Sequence, residues 1–257
     1  MKPEFYEPIL LSGSNKVGVL LIHGFTGTPK SVEPWAYGLN SAGFTVHVPR
    51  LAGHGSDWRE MRKSHWGQWL DSVDEALKNL AENVDEIFVA GFSMGGALAL
   101  RLAEIYPDRI LGLLLLNPTI YDNHIRMKLS KVLAPIIPSL KSEGTDVAKP
   151  GALITSQQRI SLHAANSLHK FRNIVRKELS SINMPIKIFL SRQDHVVPPS
   201  NGLLIANSVS SENVEITYFS RSYHVVALDY EAEELISQSN AFIGRVLEQI
   251  NKNSLNV

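Results

Sequence analysis

The stretch Ile87-Phe88-Val89-Ala90-Gly91-Phe92-Ser93-Met94-Gly95-Gly96-Ala97-Leu98-Ala99-Leu100 decides how this chain folds. Its first four residues are an apolar run suited to a buried strand, and its Ala- and Leu-rich end reads as a helix that stops at Pro107. Between them, Gly91-Phe92-Ser93-Met94-Gly95 fits the pattern Gly-x-Ser-x-Gly. A strand that passes so abruptly into a helix holds Ser93 in strained geometry with its hydroxyl exposed, and only small flanking residues fit beside it. The helix start also brings positive potential and free N–H groups to the hydroxyl. A serine there can equally be a plain helix cap, so the reading depends on partners elsewhere.

Outward from this turn, short apolar runs alternate with segments of helical period, as expected of a parallel sheet covered by helices on both faces. Strands are expected at Val17 to His23, Phe44 to Val48, Ile87 to Ala90, Ile110 to Leu116, Ile186 to Leu190 and Val214 to Phe219. The clearest helix runs from Trp66 to Leu80, where Trp66, Trp69, Leu70, Val73, Leu77 and Leu80 form one apolar stripe. Others are expected at Ser93 to Tyr106, Pro199 to Val209 and Glu231 to Ile250. Right-handed crossovers then place all strand C-termini on one edge, where open α/β folds bind ligands.

From Thr119 to Ser181 the rhythm breaks: no good strand is visible, and Pro135, Pro138 and Pro150 interrupt short amphipathic stretches. A structureless loop of this length is improbable, so residues 119–181 are read as a helical cap inserted into a core made of 1–118 and 182–257.

At 257 residues, 44% hydrophobic and 19% charged, the chain can bury a sizeable core as one domain. Its formal net charge of zero lacks the basic footprint that nucleic acid or an anionic membrane surface requires. There is no cysteine, which removes disulfides and thiolate nucleophiles. The start carries no apolar signal region and no stretch is long enough to span a membrane, so the expectation is a soluble cytoplasmic protein. Oligomeric state is left open.

A serine hydroxyl is a weak nucleophile near neutral pH; it needs a base, and the base needs a carboxylate to fix its tautomer. Both are expected at later strand ends. Asp194 follows the strand Lys187-Ile188-Phe189-Leu190, and His224 follows the last strand, with room for one helix and one strand between them. Ser93, Asp194 and His224 are the expected catalytic residues, in the chain order that goes with such a serine turn. The oxyanion donors are assigned to the backbone N–H groups of Met94, directly after the serine, and Phe25, in the turn His23-Gly24-Phe25.

The set His23-Gly24-Phe25-Thr26-Gly27-Thr28-Pro29, Gly53-His54-Gly55, Gly91 to Gly96, Asp194-His195-Val196-Val197-Pro198-Pro199 and Ser222-Tyr223-His224-Val225 resembles the bacterial carboxylesterase and monoacylglycerol lipase family of the α/β-hydrolase fold. The resemblance implies hydrolysis of carboxylic esters, including monoacylglycerols, with no metal or organic cofactor. Thr145 to Gly151 also looks like the family's cap segment. Ala152 to Gln158 departs from the acidic, tyrosine-containing stretch expected there.

Other residues are weaker candidates. His54 is read as structural; His124, His163 and His169 lack metal-ligand spacing. Trp35, Trp58, Trp66 and Trp69 are read as core or cap base, and Asp229 as a cap of the last helix. Asp122 is the rival for the acid, since it follows the strand ending at Asn117. The favoured reading is an esterase working by acyl transfer on a small-molecule ester. Its rivals are a carbon–carbon bond hydrolase, amidase or acyltransferase on the same fold, or a receptor with a vestigial triad.

Overall fold

The computed structural model of the chain describes residues 6–121, 137–142, 146–152 and 156–255. Seven strands form one sheet. They are β1 (Ile9–Leu11), β2 (Val17–Ile22), β3 (Thr45–Val48), β4 (Glu86–Phe92), β5 (Gly112–Leu116), β8 (Ile186–Ser191) and β9 (Val214–Phe219). Their order is β1-β3-β2-β4-β5-β8-β9, parallel throughout except where β1 pairs antiparallel with β3. All six expected strands are present. The edge strand β1, with Leu10 70% exposed, was not expected.

Alternation along these strands splits the core into two layers, because successive side chains leave opposite faces. Leu20 and Ile22, Ile87 and Val89, Leu113 and Leu115 face one layer. Val19 and Leu21, Phe88 and Ala90, Leu114 and Leu116 face the other. Over the first layer pack α3 (Trp66–Ala81), α4 (Met94–Ile105) and α5 (Leu162–Glu178), while α1 (Glu33–Ser41) and α7 (Ala232–Leu255) cover the second. α2 (Trp58–Lys63) and α6 (Ser200–Ala206) complete the helices of the described residues. α3 opens on a capping box: His65 Nδ1 accepts from Gly67 N–H, and Gln68 Oε1 accepts from His65 N–H. Trp35 and Trp69 are fully buried, Trp66 stacks on Phe171, and Trp58 is half-buried beside Arg59 and Arg159.

The insertion differs from the strand-free expectation. Ser139–Lys141 (β6) pairs antiparallel with Arg159–Ser161 (β7), and a helix of 17 residues, α5, follows. Three-residue strands are too short to show a period of two in sequence. α5 lies after Pro135, Pro138 and Pro150, so its apolar face, including Leu168, Phe171 and Val175, can join the core layer shared with α4. No helix among the described residues is long and apolar enough to cross a membrane.

Candidate active site

β2 and β3 run to one side of the sheet and β4 onward to the other, so the crevice between the ends of β2 and β4 is the topological switch point. Ser93 stands there, between β4 and α4, with φ 56° and ψ −114°. That conformation costs a non-glycine residue on the order of 1–3 kcal/mol and persists only where the surroundings impose it. Here they do. Ser93 N–H donates to Leu116 O at 2.9 Å, and its carbonyl accepts from Gly96 and Thr119 at 3.0 and 3.1 Å. A Cβ on Gly91 would meet the carbonyl of Gly95, and one on Gly95 would meet the carbonyls of Ile22 and His23. The two glycines therefore let the turn close against the end of β2.

The turn after β2 lies directly against the serine: a Cβ on Gly24 would sit 3.3 Å from Ser93 Cβ. Thr26 has φ 62°, which for a β-branched residue is an outlier that its neighbours must hold. Its carbonyl accepts from Gln157 N–H at 3.0 Å. Among the described residues the backbone N–H groups of Phe25 and Met94 donate to no protein acceptor, leaving two donors free beside Ser93. The turn is fixed from beneath by His23, whose Nδ1 lies 2.9 Å from Gly24 O while Nε2 accepts from Leu51 N–H at 3.3 Å. That pattern requires the neutral ring, and burial pushes its pKa down to about 4. His54 is buried beside it, its Nδ1 3.1 Å from Ala52 O and its ring packed among His23, Phe25 and Trp69. Burial, with His23 adjoining, lowers its pKa to about 3. A histidine held neutral by packing agrees with a structural reading.

Asp194 and His224 sit in the loops after β8 and β9, with Asp194 Oδ2 2.7 Å from His224 Nδ1. Asp194 Oδ1 accepts the N–H groups of Val196 and Val197 at 2.8 and 2.7 Å. With Nδ1 committed to the carboxylate, the other ring nitrogen carries the lone pair. The imidazole packs 4.8 Å, centroid to centroid, from the ring of Phe92, the residue before Ser93. Its own carbonyl accepts from Asn117 Nδ2 at 2.8 Å, while Asn117 Oδ1 accepts Ser191 N–H. Asn117 thus ties the His224 loop to the strand end next to Ser93.

Glu231 accepts three N–H groups, from Ser220, Arg221 and Ser222, and closes the His224 loop on itself. Asp229 does not serve as the side-chain cap of α7. Its carboxylate accepts from Tyr223, Tyr230, Ala148 and Lys149 instead, because the segment at 146–149 passes within reach. Asn117, Asp146, Glu231 and Gln157 were missed in sequence, and Asp229 was given a different role; only a polar residue closing the apolar strand Leu113 to Leu116 pointed to any of the four. Asp122 and His124 lie outside the described residues. Among those described, no group of three or more His, Cys, Asp or Glu could hold a metal ion.

A mostly parallel sheet with a strained serine turn at its switch point and a His–Asp pair on neighbouring strand ends defines the α/β-hydrolase class. Within that class the chain belongs to the serine aminopeptidase S33 family (Hydrolase_4), whose model matches residues 13–231. It is 37% identical over 229 residues to the thermostable monoacylglycerol lipase of Bacillus sp. strain H-257, spanning 89% of this chain and 91% of that one. With the carboxylesterase of Bacillus subtilis it shares 26% identity over 234 residues, 91% of this chain and 94% of the relative. A solved structure described with LipS and LipT, two metagenome-derived lipolytic enzymes, superimposes with a TM-score of 0.90 at 34% identity, covering 93% and 97% of the two chains.

Proposed function

We propose that this chain hydrolyses carboxylic esters, with Ser93 as nucleophile, His224 as general base and acid, and Asp194 holding His224. His224 takes the Ser93 proton as the oxygen attacks the ester carbonyl, and the N–H groups of Phe25 and Met94 receive the oxyanion. His224 then protonates the departing alcohol. Water repeats the sequence on the acyl-enzyme, returning the acid and free Ser93. No metal or organic cofactor enters these steps.

The observation that carries the reading is the 2.7 Å bond between Asp194 and His224, with the imidazole packed on Phe92 beside a serine in strained geometry. Of the inserted residues 119–181, those before α5 act as a cap over the strand ends, a role supported by Gln157 N–H donating to the Thr26 carbonyl, while α5 packs on the sheet itself. Short- to medium-chain esters and monoacylglycerols are the proposed substrates, in keeping with the names of the relatives. The family's description favours a second reading, an aminopeptidase, since one triad serves both bonds.

The test is labelling by a fluorophosphonate together with turnover of p-nitrophenyl esters, monoacylglycerols and aminoacyl p-nitroanilides. Labelling lost in Ser93→Ala, with turnover down about 10⁴- to 10⁶-fold, is the expected result. Robust labelling of that variant would end the assignment, and faster anilide than ester turnover would favour the peptidase.

A further inference from the structure

Asp146 precedes the short strap that Asp229 clamps, and it belongs to neither of the loops that carry Asp194 and His224. Its Oδ2 accepts two backbone N–H groups, from His195 and from His224, each at 3.2 Å. Oδ1 lies 2.9 Å from His195 Nδ1, and the Asp146 carbonyl accepts Val225 N–H at 3.1 Å. One carboxylate oxygen therefore joins the residue after Asp194 to His224 itself. Asn117 and Ser191 tie the roots of the same two loops, through Ser191 N–H and the carbonyls of His224 and Tyr223. Asp146 ties them at the level of the acid and the base.

The strap is built to deliver this side chain. Asp229, 3% exposed, accepts Ala148 and Lys149 N–H at 2.8 and 3.0 Å on one side and Tyr223 N–H at 2.9 Å on the other. Val147 packs against the second core layer. Asp146, its side chain only 18% exposed, is thus anchored on its C-terminal side before it reaches the two loops.

We propose that Asp146 is a positioning residue that sets the distance between the Asp194 and His224 loops, and through it the orientation of the imidazole. The proposal rests on the triad reading above. Two loops from separate strands can shift independently, and a misplacement of about 1 Å at a reacting group can cost on the order of 10²-fold in rate. A shared acceptor removes that freedom. Asp146 touches no reacting atom, so its loss falls on kcat rather than on substrate binding.

The experiment compares Asp146→Ala, Asp146→Asn and Asp146→Glu with Ser93→Ala and Asp194→Asn, measuring kcat and KM on a p-nitrophenyl ester, thermal unfolding, and the downfield proton resonance of His224 Nδ1–H. Folded Asp146→Ala is expected to lose about 10- to 100-fold in kcat with KM within about threefold, and the His224 resonance to shift or broaden. Asp146→Asn, whose amide oxygen can still accept both N–H groups, is expected to recover most of kcat and the resonance. Should Asp146→Ala fail to fold, Asp146→Glu decides, because one extra methylene pushes the loops apart while keeping the charge. A folded Asp146→Ala or Asp146→Glu with wild-type kcat and an unmoved resonance overturns the proposal. So does an equal loss in all three variants, tracking only with unfolding. If Ser93→Ala and Asp194→Asn keep turnover, the triad reading itself fails; if they lose it while Asp146→Ala does not, only the present proposal falls.

Discussion

Asp194 offers its two carboxylate oxygens to different tasks: Oδ2 meets His224 Nδ1 at 2.7 Å, while Oδ1 is held by Val196 and Val197 N–H. The acid is thus locked by its own loop before it orients a base 30 residues further on. Asp194→Asn keeps an oxygen for the two backbone donors but turns an amide NH₂ toward His224. The imidazole is then driven to the wrong tautomer. Turnover is expected to fall up to about 10⁴-fold with the fold intact, measured as kcat beside a thermal unfolding curve. Greater damage from Asp122→Asn would mean that the acid had been misassigned.

The contact of Gly95 with the end of β2 makes a stability prediction. A Cβ there would meet the carbonyl oxygen of His23 at 2.8 Å and that of Ile22 closer still, and backbone cannot swing aside as a side chain can. Gly95→Ala is expected to cost about 1–3 kcal/mol or more and to displace the turn that carries Phe25. Gly244, inside α7 with nothing within 4 Å of an added Cβ, is the control. Gly244→Ala is expected to stabilise by about 0.5–1 kcal/mol. Urea unfolding of the two variants checks both signs.

The contrast between these glycines shows what sequence can reveal. Gly91 and Gly95 were legible because a serine turn demands small residues at fixed, local offsets. The five inner strands were legible as well, since strands flanked on both sides and covered on both faces read as largely apolar runs, while the edge strand β9 was legible from its β-branched and aromatic residues. β1 was not, because its apolar run Ile9-Leu10-Leu11 is only three residues long and its pairing with β3 leaves no local signal. α1 escaped notice because Trp35, Ala36 and Leu39 make a short stripe, interrupted by Gly38 and an exposed Tyr37. The acceptors Asp146 and Asp229 are further from sequence still. Their donors lie up to 81 residues away, and no local pattern specifies which backbone N–H a carboxylate will meet in another loop.

Phe25 separates a side chain from its backbone. Its ring packs 5.8 Å from Trp69 and 6.1 Å from His54, whereas its N–H points to no protein acceptor among the described residues. Phe25→Leu is therefore expected to lower stability modestly and keep most activity. Phe25→Pro deletes the proposed oxyanion donor. Losing such a donor costs roughly 2.7–4 kcal/mol of transition-state stabilisation, or about 10²- to 10³-fold in kcat. Steady-state kinetics on folded protein, checked by circular dichroism, distinguishes them, and equal mild losses would move the donor elsewhere.

Two buried histidines and one buried glutamate predict how stability follows pH. Burial holds His23 at about 4 and His54 at about 3, against an ordinary 6.5, so below pH 6.5 the unfolded chain takes up protons that the folded one refuses. Their contribution is complete above pH 6.5 and is lost as pH falls toward those values. His47, also lowered by burial, acts in the same direction. Glu104 acts in the opposite direction. Its side chain is 2% exposed and, despite Arg101 at 2.8 Å, burial raises its pKa from 4.5 to about 7. Its contribution is complete below pH 4.5 and is lost as pH rises through 7. Each group is worth about 1.4 kcal/mol per pH unit where only one state is protonated. Between pH 6.5 and 5 the histidines outweigh the single glutamate, and stability is expected to fall by about 1 kcal/mol per unit. Glu104→Gln removes the opposing group and is expected to steepen that fall roughly twofold. Urea midpoints at pH 5, 6, 7 and 8 test this, and a wild-type stability that stays level or rises on acidification from pH 6.5 to 5 would mean that His23 and His54 are not held neutral in the fold.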